Sequence, residues 1–113
     1  MRSKAPSLAI VLQALADPTR LQVVQMLSEL PRRPRELALG IGVAPASISK
    51  HVRVLMRAGL VSDERLAEDA RARVLRLRRD SFVSVRAWLD QLQLGWDRQL
   101  GSFKQHIERK AKQ

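Results

Sequence analysis

The chain has 113 residues, 45% of them hydrophobic, enough for one core and too few for two domains of ordinary size. Its 21 lysines and arginines against 11 aspartates and glutamates give a formal charge of +10, which points to a polyanionic partner, nucleic acid first and an acidic membrane surface second. With no cysteine, the chain offers no disulfide, no thiolate metal site and no thiol redox sensor, and a reducing cytoplasm suits it.

The basic start followed by LAIVLQALA imitates a secretory leader with small residues at Ala14 and Ala16. The apolar run is short and carries Gln13, while Leu8, Val11, Leu12 and Leu15 have the i, i+3, i+4, i+7 spacing of an amphipathic helix. A packed first helix is therefore expected, and nothing elsewhere is long enough to span a membrane. Asp17-Pro18 then supplies an N-cap and a first helical residue that needs no backbone donor. The second helix is expected to turn Val23, Val24, Leu27 and Leu30 inward and to end at Pro31.

Residues 31–35 hold two prolines and three arginines and read as a tight loop whose second proline, Pro34, opens a third helix. That helix contains Leu37 and Leu39 and is expected to break at Gly40 and Gly42, with Pro45 starting the next. Two short helices joined by a small-residue turn form a helix-turn-helix over about residues 34–58. At roughly 100° per residue Ile48, Val52 and Leu55 share one face of the second of these helices, leaving Ala46, Lys50, Arg53 and Arg57 on the far side. Small side chains near the helix start admit base edges, and the lysine and arginines suit phosphate or guanine. A solvated basic face on an ordinary amphipathic helix would carry the same pattern. Gly59 suits the left-handed residue that closes such a helix, with Leu60 folding back on the last turn.

LVSDERL and RARVLRL, joined by AEDA, show partial strand alternation, and a hairpin over about residues 60–78 is expected. Carrying Arg65, Arg71 and Arg73 directly after the basic helix, it has the properties of a DNA-binding wing; a charged loop is the plainer alternative. From about residue 80 to 110 one long helix is expected. In it Val85, Leu89, Leu92, Trp96, Leu100, Phe103 and Ile107 recur at steps of 4, 3, 4, 4, 3 and 4, close to a heptad seam. A helix of about 30 residues spans about 45 Å, more than so small a domain can cover, so this seam is expected to pack on a second copy. No Gly-rich phosphate loop is present, and neither histidine stands beside a patterned acid or serine, so no catalytic residue is assigned.

With these segments in view, the chain resembles the ArsR/SmtB family of winged-helix transcriptional repressors. The resemblance rests on LADPTRLQVVQML (residues 15–27), RELALGIGVAPASISKHVRVLMRAGLV (residues 35–61) and WDRQLGSF (residues 96–103). It implies one winged helix-turn-helix domain over residues 1–113, mainly α with a small β-hairpin, dimeric through its terminal helices. The implied function is a cytoplasmic repressor that binds an inverted repeat in double-stranded DNA as a homodimer. Ser47, Ser49, Lys50 and His51 become implied DNA contacts beside Ala46, Arg53, Arg71 and Arg73. Leu8 and Leu12 join Leu89, Leu92, Trp96, Leu100 and Phe103 as implied interface residues. Three departures stand out. Ala44 precedes Pro45 where the family often has a capping serine, Asp69 and Ala70 replace the usual wing glycine, and no thiolate metal motif is present. His106 and Glu108 lie on different faces of one helix, so no metal or cofactor is expected, although one His106 per chain could meet its counterpart between subunits. A reading from another class is a winged-helix dimer that acts mainly by binding an acidic protein partner. The operator, the regulated genes and the inducing signal have no signature in the sequence.

Overall fold

The computed structural model describes residues 7–66 and 69–111, with side chains described throughout except at 66 and 69–72. Residues up to 83 form one compact unit and those from 84 onward a second. In the first unit the order is α1 (Leu8–Leu15), α2 (Pro18–Glu29), α3 (Pro34–Ile41), α4 (Pro45–Arg57), β1 (Val61–Leu66), β2 (Asp69–Leu77) and a 3-10 turn (Arg79–Phe82). The last helix, α5 (Val83–Ala111), forms the second unit from residue 84 onward.

The helix starts follow the local chemistry. Ser7 caps α1 by accepting from the Ile10 N–H at 3.2 Å, and Asp17 Oδ1 accepts from the N–H groups of Thr19 at 2.9 Å and Arg20 at 3.1 Å. Arginine cannot accept, so α3 is capped in reverse, its Glu36 carboxylate taking the Arg33 N–H at 3.0 Å. Pro34 and Pro45 open α3 and α4, and Ala44 provides no side-chain cap.

Two expectations about the helices are corrected. Helix α2 stops at Glu29, and Leu30, extended at its C-cap, is 51% exposed instead of buried. Gly40 lies inside α3 and does not break it; the helix ends at Gly42, whose φ of 82° is left-handed. Gly40 is exposed, and a Cβ there would meet only the flexible end of the Met26 side chain, 2.6 Å from its Cε.

The core unites Val11, Val23, Leu27, Leu37, Ile48, Leu55, Leu60 and Leu75, each 2% exposed or less. Contributions from all four helices and both ends of the hairpin fix α4 by its inner face. The hairpin is antiparallel, pairing Val61 with Leu77 and Arg65 with Arg73, with an irregularity after Arg65. The loop before α3, expected as a simple connection, also pairs with the hairpin: Arg32 N–H donates to Leu75 O at 3.1 Å and Leu75 N–H to Arg32 O at 2.7 Å. Helix α5, at 29 residues, is about 44 Å long. Its Leu89, Leu92, Leu94, Trp96, Leu100, Phe103 and Ile107 are each 48–63% exposed.

Candidate nucleic-acid interface

Helix α4 is held from behind and bare in front. Ile48, Val52 and Leu55 are buried, while Ala46, Ser49, Lys50, Arg53 and Arg57 are exposed. Its C-terminus closes in a Schellman arrangement: the Leu60 N–H donates to Leu55 O and the Gly59 N–H to Met56 O, both at 3.0 Å. Gly59 has φ of 77°, as its place after the helix required. Ser81, buried, donates its Oγ–H to Gly59 O at 2.5 Å, and the Arg78 N–H donates to Leu60 O at 2.8 Å. Arg79 reaches Ser28 O at 2.9 Å. The hairpin therefore leaves α4 in a fixed direction, tied at its base to the ends of α2 and α4.

Between α4, the head of α3 and the hairpin lies an open depression of about 350 Å³, whose lining includes Ser49, Arg53, Met56, Asp63 and Arg73. The fold thus brings together Ser49 and Arg53 of α4 and Arg73 of the hairpin. Ser49 donates its hydroxyl to Pro45 O at 3.1 Å. Arg73 is exposed and pairs with Asp63 at 3.3 Å, as Arg76 does with Glu64 at 3.0 Å. Exposed pairs of this kind contribute little and exchange readily for another anion. Lys50, Arg53 and Arg57 have no acidic partner among the described residues. Ser47 is half-buried on the other flank of α4. The side chain of Arg71 lies outside the described residues.

His51 differs from its neighbours. Its side chain is 21% exposed, and its Nδ1 lies 3.3 Å from an Arg20 guanidinium nitrogen and 3.8 Å from Asp17 Oδ1. Arg20 in turn donates from Nε to Ala14 O at 2.5 Å. Sequence reasoning missed this cluster, whose only local mark was the Asp17 cap. The Arg20 N–H bonded to the Asp17 carboxylate holds its pKa below the ordinary 3.8; partial burial opposes this, and the Thr19 N–H and the nearby Arg20 charge add to it.

Of the expected interface residues, Leu8 and Leu12 are half-buried in the first unit, and Leu89, Leu92, Trp96, Leu100 and Phe103 are exposed on α5. His106 and Glu108 are exposed too, and no group of three or more metal-binding side chains occurs among the described residues. No described helix is long and apolar enough to cross a membrane.

Comparison with known proteins accounts for this arrangement. Residues 17–63, from the Asp17 cap to the first strand, match the family model described as bacterial regulatory protein, arsR family. The HTH-type transcriptional regulator Rv2034 of Mycobacterium tuberculosis is 34% identical over 96 residues, covering 85% of this chain and 84% of that protein. An ArsR-like transcriptional regulator from Rhodococcus sp. RHA1 superposes with a TM-score of 0.70 at 28% identity, over 86% of this chain and 89% of that one. The homodimeric winged helix-turn-helix DNA-binding domain of Mb0332 from Mycobacterium bovis superposes with a TM-score of 0.59 at 27% identity, over 75% of this chain and 80% of that one. With the sequence motifs, the five helices and the hairpin in agreement, the chain belongs to the ArsR family of winged helix-turn-helix transcriptional regulators.

Proposed function

We propose that this regulator is a cytoplasmic repressor, without catalytic activity, that binds an inverted-repeat operator as a homodimer. The observation that carries the reading is the outer face of α4, where Lys50, Arg53 and Arg57 stand exposed without acidic partners among the described residues on a helix whose other face is buried. Such a face offers point charges and a planar fork to phosphates and guanine edges. Ala46, Ser47 and Ser49 keep the leading turns of α4 narrow enough to enter a major groove. Arg73, beside α4 across the shared depression, exchanges Asp63 for a phosphate, and Arg71 serves on the same hairpin. The homodimer is supported by the uncovered apolar face of α5 and by the homodimeric relative.

Selection of bound sequences from random duplex DNA tests the proposal. The expected outcome is an inverted repeat whose binding weakens steeply with salt. Recovery of no sequence preference, together with salt-sensitive binding to an acidic protein, would favour the protein-binding reading instead.

A further inference from the structure

Arg20 is 31 residues from His51 in sequence and sits in α2, where it lines a depression with Ala14, Val54 and Arg57. Its guanidinium is held from two sides, Nε donating to Ala14 O at 2.5 Å and Nη1 lying 3.3 Å from His51 Nδ1. Arginine has donors only and stays protonated at any ordinary pH, so the contact is a hydrogen bond only if His51 Nδ1 carries a lone pair. The competing partner, Asp17 Oδ1, lies farther off at 3.8 Å and already accepts two backbone N–H groups. A neutral imidazole whose Nδ1 accepts must carry its proton on Nε2. That nitrogen is not among the buried polar atoms left without partners, and the side chain keeps 21% of its surface exposed on the helix that carries Lys50.

We propose that Arg20 is a positioning residue for DNA binding: it fixes His51 as the Nε2–H tautomer, and the outward N–H donates to a backbone phosphate. The inference rests on the proposed role of α4 in binding DNA. His51 then acts as a neutral donor, which adds a hydrogen bond without releasing a counterion. Arg20 makes no phosphate contact of its own.

The test has two arms on the full chain. In the first, nitrogen-15 NMR of histidine-labelled protein at about pH 8, where an ordinary imidazole is neutral, reads the tautomer without DNA. The wild type should show His51 protonated on Nε2, Arg20→Met should show a mixture, and Arg20→Lys should restore the single form. In the second, affinity for a duplex recovered by selection should fall only about twofold in Arg20→Met, because a mixture keeps part of the chain in the donating tautomer, whereas His51→Ala, which loses the hydrogen bond to a charged group outright, should cost about tenfold. The slope of log affinity against log salt should stay unchanged, whereas loss of a direct phosphate contact would lower it by about 0.9. In a His51→Ala background, whatever its own stability, the further change Arg20→Met should cost no additional affinity. An Nδ1–H tautomer in the wild type, a reduced salt slope, or additive losses would each overturn the proposal. Lys50→Ala serves as the control for the underlying reading. If the tautomer behaves as expected while Lys50→Ala leaves duplex affinity intact, the role of α4 fails, and the phosphate contact of His51 with it.

Discussion

Asp17 shows how one side chain couples a helix start to the cluster behind α4. Its carboxylate faces His51 and caps α2 through two backbone N–H groups, which hold its pKa below 3.8. A group with a lowered folded pKa contributes stability that is complete above the unfolded value and is lost as pH falls through the folded one. Asp17→Ala should therefore lower Tm at neutral pH, and the gap from wild type should narrow only below about pH 3.8, as thermal melts across that range would show. Gly59 makes a second prediction. At φ 77° a Cβ is unfavourable by about 1 to 2 kcal/mol, and the turn directs the hairpin through the bond from Ser81. Gly59→Val should cost at least that in chemical denaturation and weaken DNA binding even where the dimer persists. The left-handed turn was legible in the sequence because a glycine followed by leucine at the end of an apolar-periodic helix has few other uses. Gly40 was misread because a glycine that ends a helix and one inside it look alike in sequence, and here α3 runs through it to Ile41. The Arg20–His51 contact left no sequence signal, since nothing local joins residues so far apart along the chain.

At the scale of elements, the proposed function divides the work of binding between α4 for specificity and the hairpin for affinity. Ser47 and Lys50 stand in the N-terminal half of α4, and Arg73 stands on β2; in the proposed complex the first two would meet bases and Arg73 phosphate or the minor groove. Changing Ser47 or Lys50 to alanine should narrow the gap between operator and unrelated DNA by about 1 to 3 kcal/mol. Arg73→Ala should weaken all duplexes alike and lower the salt slope by about 0.9. Competition titrations at several salt concentrations distinguish the two patterns; a loss of specificity on changing Arg73 would contradict the division. Helix periodicity, caps and prolines made α1 to α4 readable because each is a local effect. The pairing of Arg32 with Leu75 was not readable, being a bond between a loop and a strand distant in sequence. Leu30 was misassigned for a related reason: the apolar period ran one residue past the point where the chain becomes extended before Pro31.

At the scale of the whole molecule, the unresolved account is the apolar face of α5. Six large hydrophobic side chains, Leu89, Leu92, Trp96, Leu100, Phe103 and Ile107, at roughly half exposure along one face of the helix form a patch that monomeric proteins seldom leave in water. Their heptad-like spacing suits a second helix of similar length. Trp96, 59% exposed at mid-seam, is the natural anchor, since tryptophan dominates interface energetics when a partner covers it. Because it is not buried within its own unit, Trp96→Ala should leave the fold of residues up to 83 intact and act on association, weakening the dimer by about 2 kcal/mol or more. Sedimentation across micromolar concentrations checks this: the wild type should be dimeric and the variant should dissociate. DNA binding then follows by geometry, because two recognition helices held about 34 Å apart meet successive major grooves on one face of the duplex, and a dissociated variant loses the combined hold of two half-sites. The Trp96→Ala chain should bind a single half-site as well as the wild type binds it, yet lose its advantage on the full inverted repeat. A wild type that sediments as a monomer, or a variant that keeps the full-site advantage, would remove the basis for pairing through α5.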